Sequence, residues 1–179
     1  MAIEKMNVAI VGATGYGGIQ AVNLLKNNKN YRISYLGGNK TSGSRWNANF
    51  PFIHLESDPI IEDISVENIS NNSEIALLCL PNGLSSTLTG DLLKKGVKVI
   101  DLSADYRYKS LDDWKKIYSK ESSLHKRKDY QLCKEAIYGL PEINKDEIAK
   151  GRLIACPGCY PTSALIPLIP FLSQGIIDS

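Results

Sequence analysis

The stretch NVAIVGATGYGGIQAVNLLKN, residues 7–27, decides the fold class of this chain. Its first five residues predict an apolar strand, and the glycines that follow turn the chain into a helix. The helix places its apolar side chains roughly on one face, namely Ile19, Val22, Leu24 and Leu25. YRISYLGG, residues 31–38, follows as a second strand that ends in two glycines. The pattern predicts a βαβ unit.

Strands and helices continue to alternate along the chain. EIALLCLP, residues 74–81, is a continuous apolar strand, and GLSSTLTGDLLKKG, residues 83–96, is a helix that stops at Gly96. This helix is predicted to turn its leucines inward, namely Leu84, Leu88, Leu92 and Leu93. VKVIDLSADYR, residues 97–107, is the next strand. The alternation predicts the α/β class, with a doubly wound, mainly parallel sheet of Rossmann type.

Two segments are predicted to be less regular. Residues 39–59 are rich in Ser, Asn and Gly and predict a long loop. Residues 108–134 shift to Lys, Asp, Glu and Ser, with one short amphipathic helix at 112–118, so this segment is expected to be solvated. The basic run HKRK, residues 125–128, has acidic neighbours and indicates a solvated surface, not a nucleic-acid site.

The composition is that of an ordinary globular protein. Apolar residues make up 43% of the chain and the net charge is +2, which gives no electrostatic case for nucleic acid or an acidic membrane as partner. The start of the chain has no apolar signal core, and the most apolar segment, Ala164 to Leu172, is too short to span a bilayer. We therefore expect a cytoplasmic protein with small-molecule partners and cysteines kept as thiols.

The glycine turn after the first strand indicates a dinucleotide site. Gly12, Gly15 and Gly18 form G-x-x-G-x-x-G, with Gly17 as an additional glycine. Such a turn lets backbone N–H groups approach a pyrophosphate, whose charge is favoured at a helix N-terminus. The alternative is a tight turn that packs helix on strand and binds no ligand.

The end of the second strand discriminates between the nicotinamide cofactors. An Asp or Glu there accepts a hydrogen bond from the ribose 2′-OH of NAD, whereas cationic and polar groups accommodate the 2′-phosphate of NADP. GGNKTSGSR, residues 37–45, contains no acid, and Asn39, Lys40 and Thr41 are placed to meet a phosphate. NADP is therefore favoured, although Lys40 alone is as consistent with a solvated loop lysine.

A second turn of special composition lies in ACPGCYPTSALIP, residues 155–167. Pro157 and Gly158 bend the chain after a short strand, so that Cys159 falls just before an apolar helix opened by a proline and a threonine. Helix N-terminal amides lower a thiol's pKa, and the thiolate is the nucleophilic form. The same amides are placed to hold an oxyanion.

Other interpretations of this turn stay open. Cys156 and Cys159 form a C-x-x-C, which is also typical of a dithiol redox pair, although such a pair usually follows an early strand. A zinc site needs about four ligands, and the other cysteines and histidines lie singly, so no metal is predicted. Both cysteines are also consistent with inert apolar packing. Pro167 and Pro170 are expected to shorten or kink the helix.

The sequence resembles the N-acetyl-gamma-glutamyl-phosphate reductases, the arginine-biosynthetic relatives of aspartate-semialdehyde dehydrogenase. The resemblance lies in four collinear motifs: VAIVGATGYGG at 8–18, VIDLSADYR at 99–107, YGLPE at 138–142 and PGCYPT at 157–162. Each motif alone is weak or moderate. The four together are highly specific and extend along nearly the whole chain.

The resemblance implies NADPH-dependent reductive dephosphorylation of N-acetyl-γ-glutamyl phosphate. The cysteine of P-G-C-Y-P-T, here Cys159, then attacks the acyl phosphate, expels inorganic phosphate and forms a thioester that hydride from NADPH converts into an aldehyde. Arg107 is implied at the substrate end of the cleft, where a guanidinium binds phosphate or carboxylate, unless it pairs with Asp105. The pyrophosphate is implied to contact Gly12, Thr14, Gly15, Tyr16, Gly17 and Gly18.

The chain departs from the family pattern at several points. Cys156 stands where the family has Asn, and Asn82 stands where His is common. Family members are also longer and continue into a substrate and dimerisation domain. The resemblance therefore implies an NADP-binding Rossmann domain at 1–157 and the truncated start of the catalytic and dimerisation domain at 158–179.

The acid/base histidine of the family is expected beyond residue 179, because neither His54 nor His125 falls in a matching motif. General acid–base catalysis is worth about 10²–10⁴-fold, so this piece alone is expected to be nearly inactive. The full-length enzyme is expected to be a homo-oligomer. Two rival functions stay open: reduction of N-acetyl-aminoadipyl or aspartyl phosphate, which one sequence does not separate, and a non-catalytic nucleotide-binding module.

Overall fold

The computed structural model describes residues 4–118, 127 and 129–178. The strands are β1 (Met6–Val11), β2 (Tyr31–Gly37), β3 (Ile75–Leu78), β4 (Lys98–Asp101), β5 (Ile137–Tyr138) and β6 (Leu153–Ala155). The helices are α1 (Tyr16–Leu25), α2 (Trp46–Asn49), α3 (Val66–Asn72), α4 (Ser85–Lys94), α5 (Leu111–Tyr118), α6 (Tyr130–Glu135), α7 (Pro141–Lys150) and α8 (Cys159–Ser173). No helix among these described residues has the length and apolar character needed to cross a membrane.

The strands form one sheet in the order β2-β1-β3-β4-β6-β5, and every neighbouring pair is parallel. The predicted parallel sheet of Rossmann type is confirmed. Parallel strands present their carboxyl ends at one edge, so the loops after β1, β3, β4 and β6 lie together there. The strand order reverses at β1, with β2 on one side and β3 on the other. Such a switch point is where open α/β sheets bind ligands.

One face of the sheet packs against α3, α4, α5 and α6. Successive side chains of a strand alternate between faces, and this face receives Ala9, Val11, Ala76, Leu78 and Val99. The helices contribute Ile69, Leu92, Leu93, Leu111, Trp114 and Cys133, all buried. A fully buried Leu or Ile stabilises the fold by about 1.5–3 kcal/mol, so this face supplies much of the stability.

The opposite face is only partly covered. Over β1 and β2 it packs against α1 and against the segment that holds α2, where Trp46 is buried and donates from Nε1 to the Ile53 carbonyl at 2.7 Å. Over β3 and β4 an apolar groove of about 710 Å³ remains, lined among others by Leu77 and Ile100. Leu24, predicted to share one face of its helix with Ile19, Val22 and Leu25, lines this groove and is 76% exposed, whereas Val22 is buried.

The described part of residues 108–134 is less solvated than its composition predicts. Leu111 and Trp114, three residues apart on α5, are buried in the core, and Cys133 of α6 is buried with them. The Arg127 side chain is 7% exposed, so the solvated interpretation of HKRK is wrong for this residue. The rest of that run, including His125, lies outside the described residues. The many charged residues around Leu111, Trp114 and Cys133 mask these few buried positions in the sequence pattern.

Several predicted elements have different bounds, and two of them change the surroundings of the site. β4 ends at Asp101, and the predicted continuation of the strand is a loop in which residues 103–106 are at most 4% exposed. Leu84, predicted to face inward, is 48% exposed because α4 begins only at Ser85.

The last helix, α8, continues through Pro167 and Pro170 to Ser173, so the expected shortening is wrong. Each proline lacks one backbone donor, and the other hydrogen bonds suffice to keep the helix. No described residue of α8 is buried, whereas Ala155 of β6 is fully buried. The predicted domain boundary after residue 157 stays a prediction.

Candidate active site

The turns after β1 and β6 are anchored at the same carboxyl edge of the sheet. The amides of Gly12 and Ala13 both donate to the Gly37 carbonyl at 2.9 Å, which ties the turn after β1 to the end of β2. The amide of Cys156 donates to the Asp101 carbonyl at 2.8 Å, which ties the turn after β6 to the end of β4.

Gly12 and Gly18 have no room for a side chain. Gly12 has φ +80°, and a Cβ atom there would lie 2.3 Å from the carbonyl oxygen of Cys79. A Cβ atom on Gly18 would lie 2.2 Å from the carbonyl oxygen of Gly12. At Gly15 and Gly17 the nearest atoms to a Cβ are 3.5 Å and 3.6 Å away. Gly12 and Gly18 therefore shape the turn, and Gly15 and Gly17 leave its outer surface open.

This outer surface presents free backbone donors. Gly15 is the N-cap of α1, with extended backbone (φ −82°, ψ 166°), and the first turn of α1 holds no acidic residue. Within the described ranges, the amides of Thr14, Tyr16 and Gly17 meet no backbone acceptor outside the helix, as expected at a helix start. Free amides belong to both interpretations of this turn, and their open position at the start of α1 is suited to a pyrophosphate.

The end of β2 lies beside the turn. From the Cβ position of Gly38, the hydroxyl of Thr41 is 3.0 Å away and a methyl of Thr14 is 3.5 Å away. The Thr41 hydroxyl is buried and has no hydrogen-bond partner in the described part of the chain. Asn39 and Lys40 beside it are exposed. A buried polar atom without a partner is uncommon, and here it fits a further phosphate oxygen.

Cys159 is the first residue of α8, so the helix begins at the cysteine itself. Gly158 is the N-cap, with extended backbone (φ −71°, ψ 160°). Thr162 closes this first turn by donating from its amide at 3.0 Å and from its hydroxyl at 2.9 Å to the Gly158 carbonyl. The thiol of Cys159 is exposed, and α8 has no acidic residue in its first turn.

The other three cysteines are poor nucleophiles at neutral pH. Burial raises the pKa of Cys156 to about 11, that of Cys79 to about 12 and that of Cys133 to about 11. Cys156 lines the apolar groove, whereas Cys159 faces solvent, so the two thiols of the C-x-x-C lie in different surroundings. This arrangement favours a single reactive thiol over a dithiol pair.

Arg107 links the loop after β4 to the cysteine turn. Its Nε donates to the Cys156 carbonyl at 2.8 Å, and its Nη2 donates to the Leu102 carbonyl at 3.0 Å. Its Nη1 lies 3.1 Å from the Cβ position of Gly158, on the side of the turn that leads to Cys159. The Arg107 side chain therefore stabilises this turn through its hydrogen bonds and also places a positive charge beside it.

The alternative pairing of Arg107 with Asp105 is wrong. The Asp105 carboxylate accepts from the amides of Gly83 at 2.6 Å and Ser86 at 2.9 Å, and it lies 3.6 Å from Nη1 of Arg127. Asp105 is thus paired with Arg127, and Arg107 forms no salt bridge among the described residues.

Two polar groups at this edge were given no role from the sequence. The side-chain oxygen of Asn82 accepts from the Ala104 amide at 2.8 Å and so joins the loops after β3 and β4. Asp101 is fully buried and accepts from the amide and hydroxyl of Ser103 at 3.0 Å and 2.8 Å, and burial raises the pKa of its carboxyl. Their signal was position, since Asp101 is the last residue of β4 and Asn82 lies in the loop after β3.

Histidine is not part of the described site. His54 lines a cavity of about 560 Å³ together with Lys26 and Arg32, from the end of α1 and the start of β2. That cavity is at the amino edge of the sheet. Among residues 4–118, 127 and 129–178, no three His, Cys, Asp or Glu side chains cluster as metal ligands do.

Comparisons with known proteins find relatives that align with nearly the whole chain. The chain is 79% identical over 174 residues to an N-acetyl-gamma-glutamyl-phosphate reductase of Prochlorococcus marinus strain MIT 9215, across 97% of this chain and 50% of the relative. It is 56% identical to the protein of the same name from strain NATL1A of that organism, across 96% of this chain and 48% of that one. The chain thus spans about half the length of the curated relatives that it matches.

Solved structures share the fold. Aspartate semialdehyde dehydrogenase II from Vibrio cholerae, complexed with ASA, superposes with a TM-score of 0.67 at 23% identity, over 95% of this chain and 47% of that one. Aspartate semialdehyde dehydrogenase with NADP from Candida albicans gives 0.66 at 14% identity, over 96% and 48%. A family model described as "Semialdehyde dehydrogenase, NAD binding domain" matches residues 7–151. Because that match covers well over half of the chain, the protein belongs to the family of semialdehyde dehydrogenase NAD-binding domains.

Proposed function

We propose that this chain supplies the nucleotide site and the nucleophile of an NADPH-dependent reductase that converts N-acetyl-γ-glutamyl phosphate into N-acetylglutamate 5-semialdehyde, a step of arginine biosynthesis. The observation that carries the proposal is the exposed Cys159 thiol at the start of α8, on the same sheet edge as the open amides of the glycine turn. The name of relatives 79% identical to this chain supports the choice of substrate. We use "full-length protein" for a chain of the relatives' length that contains these residues.

In the proposed reaction the Cys159 thiolate attacks the carbonyl carbon of the acyl phosphate. The bond from that carbon to the phosphate oxygen breaks, inorganic phosphate leaves, and a thioester remains on Cys159. Amides at the start of α8 are suited to the negative charge on the carbonyl oxygen, and Arg107 is suited to the phosphate or the substrate carboxylate. NADPH, when bound, supplies the hydride that converts the thioester into the aldehyde and frees the sulfur.

We propose that backbone amides and a few side chains of this chain hold the cofactor. The amides of Thr14, Tyr16 and Gly17 are proposed to bind the pyrophosphate, with Gly12, Gly15 and Gly18 shaping the approach. The hydroxyl of Thr41 and the side chains of Asn39 and Lys40 are proposed to bind the 2′-phosphate, which makes NADP the cofactor. The NADP domain is proposed to end at residue 157. We also propose that the full-length protein is a cytoplasmic homo-oligomer whose acid/base group lies in its other half.

The test is to locate the covalent intermediate. The full-length protein is incubated with the acyl phosphate in the absence of NADPH, quenched in acid and digested, and the acylated peptide is identified by mass spectrometry. We expect acylation at Cys159 and one equivalent of phosphate released. An acyl group on another side chain, or no acyl group with the protein active, contradicts the proposal. Comparing kcat/KM for the N-acetylglutamyl, N-acetyl-aminoadipyl and aspartyl phosphates then tests the substrate.

A further inference from the structure

We infer that Arg127 is a positioning residue for the substrate anion and acts through Asp105 on the loop that carries Arg107. The inference rests on the proposed function and concerns the same site. It assigns a role to a residue that the sequence pattern placed in a solvated basic run.

Arg127 is held on several sides. Its side chain is 7% exposed, and its guanidinium carbon lies 4.3 Å from the ring centroid of Trp114 and 5.2 Å from that of Tyr106. Nε and Nη2 donate to the two carboxylate oxygens of Asp129 at 3.0 Å and 2.6 Å. A planar guanidinium that is stacked and paired in this way has a fixed orientation.

The remaining side of the guanidinium faces Asp105. Nη1 donates to the Asp105 carbonyl at 3.0 Å and lies 3.6 Å from its carboxylate. Asp105 is fully buried, and its carboxylate accepts hydrogen bonds from the amides of Gly83 and Ser86. Arg127 therefore balances a buried negative charge, which is strongly unfavourable without a nearby cation.

Asp105 and Arg107 belong to one short loop. The Arg107 amide donates to the Ala104 carbonyl at 3.3 Å, and the Arg107 side chain reaches back to Leu102 and across to Cys156. A displacement of Asp105 therefore displaces the origin of the Arg107 side chain. Without Arg127, the buried carboxylate must move toward water or toward another cation, and Arg107 is a cation two residues away. Arg127 thus keeps Arg107 available to the substrate anion.

The test compares four variants of the full-length protein: Arg127→Met, Arg127→Lys, Arg127→Met with Asp105→Asn, and Arg152→Met. Arg152 is the matched control, because its bidentate pair with Glu135 is on the surface with a side chain 52% exposed. KM is measured for the acyl phosphate and for NADPH at a temperature where circular dichroism shows each variant folded.

We expect Arg127→Met to raise KM for the acyl phosphate about 10- to 100-fold, the effect of losing a charged hydrogen bond, with the KM for NADPH nearly unchanged. The double variant should recover much of this loss, because the unbalanced charge on the Arg107 loop is gone, and the other carboxylate left without Arg127, Asp129, is 17% exposed and reaches water. Arg127→Lys should show a smaller increase, since an ammonium cannot make the planar contacts. Arg152→Met should match the parent.

Parallel rises in both KM values, or a lower melting temperature with both KM values unchanged, would overturn the inference. So would a double variant no better than Arg127→Met. If Arg127→Met does not fold, an unchanged acyl-phosphate KM in Arg127→Lys overturns it. If the parent does not reduce the acyl phosphate, the proposed function fails, and calorimetric binding of inorganic phosphate to the same variants decides the role of Arg127 separately.

Discussion

The chain makes two strand–glycine–helix turns at one edge of its sheet, the first between β1 and α1 and the second between β6 and α8. Both N-caps are glycines with nearly the same extended backbone, φ −82° and ψ 166° at Gly15 and φ −71° and ψ 160° at Gly158. Neither helix has an acidic residue in its first turn. Each turn is therefore suited to an anion, by the same backbone means.

The two turns differ in what fixes the helix behind them. α1 buries Gly18, Ala21 and Val22 against the sheet, whereas α8 buries none of its described residues. The position of the cofactor amides is thus set by packing within this chain. The position of Cys159 depends on the hydrogen bonds of Arg107 and Thr162. This difference predicts that packing within this chain fixes the nucleotide site. It also predicts that only a few hydrogen bonds within this chain hold the Cys159 thiol in place.

The largest effect is expected at the thiol. In the full-length protein, Cys159→Ser should lower kcat by about 10⁴-fold or more, the scale of losing a nucleophile, while the dissociation constant for NADPH stays unchanged. The control is Cys156→Ser in the same turn, which should keep most of the turnover. Equal losses in both variants, measured by NADPH oxidation, would show that the turn and not one sulfur is needed.

A second prediction concerns the thiol of Cys156 in a Cys159→Ser background. Its pKa is raised to about 11, so it stays protonated below that pH and ionises only as the pH rises toward it. About one molecule in a thousand then carries the thiolate at pH 8, and alkylation by iodoacetamide should speed up about tenfold per pH unit up to about pH 11. Peptide mass spectrometry over time measures this rate. Labelling at pH 8 as fast as in urea would contradict the buried environment.

Much of this comparison was predictable from sequence, because strands, glycines and caps are local signals. The β1 turn, α1 and the place of Cys159 next to a helix start follow from patterns within a few residues. The surroundings of Asp105 did not follow, because its partners Gly83 and Arg127 are both 22 residues away along the chain. Residues 103–106 also have a polar composition that hides a buried loop. Contacts between residues far apart in the sequence leave no periodic pattern within a short segment, so the sequence alone does not reveal them.

The third prediction separates the glycines that shape the first turn from those that leave it open. Gly18→Ala places a methyl 2.2 Å from the Gly12 carbonyl and should lower the free energy of unfolding by roughly 1–3 kcal/mol, the usual cost of overpacking. Gly17→Ala, with 3.6 Å of space, should keep or slightly raise stability and weaken only NADPH binding. Urea titrations of both variants test this. Equal losses of stability in the Gly18→Ala and Gly17→Ala variants would mean that the surface at Gly17 is closely packed and not open.

The smallest effect is expected at the edge of the nucleotide site. Lys40 is exposed, so its contact with a 2′-phosphate is worth about as much as a surface ion pair, up to about 1 kcal/mol. Lys40→Ala should therefore raise the KM for NADPH about two- to fivefold, leave the KM for NADH unchanged, and lose its effect at high salt. Thr41→Val should act on NADPH in the same direction, because the 2′-phosphate would lose the hydroxyl that is proposed to bind it. Lys26→Ala, at the amino edge, is the control. Equal changes in KM for NADPH and for NADH would mean that the 2′-phosphate binds elsewhere. The β1 turn would then be a site for the pyrophosphate alone.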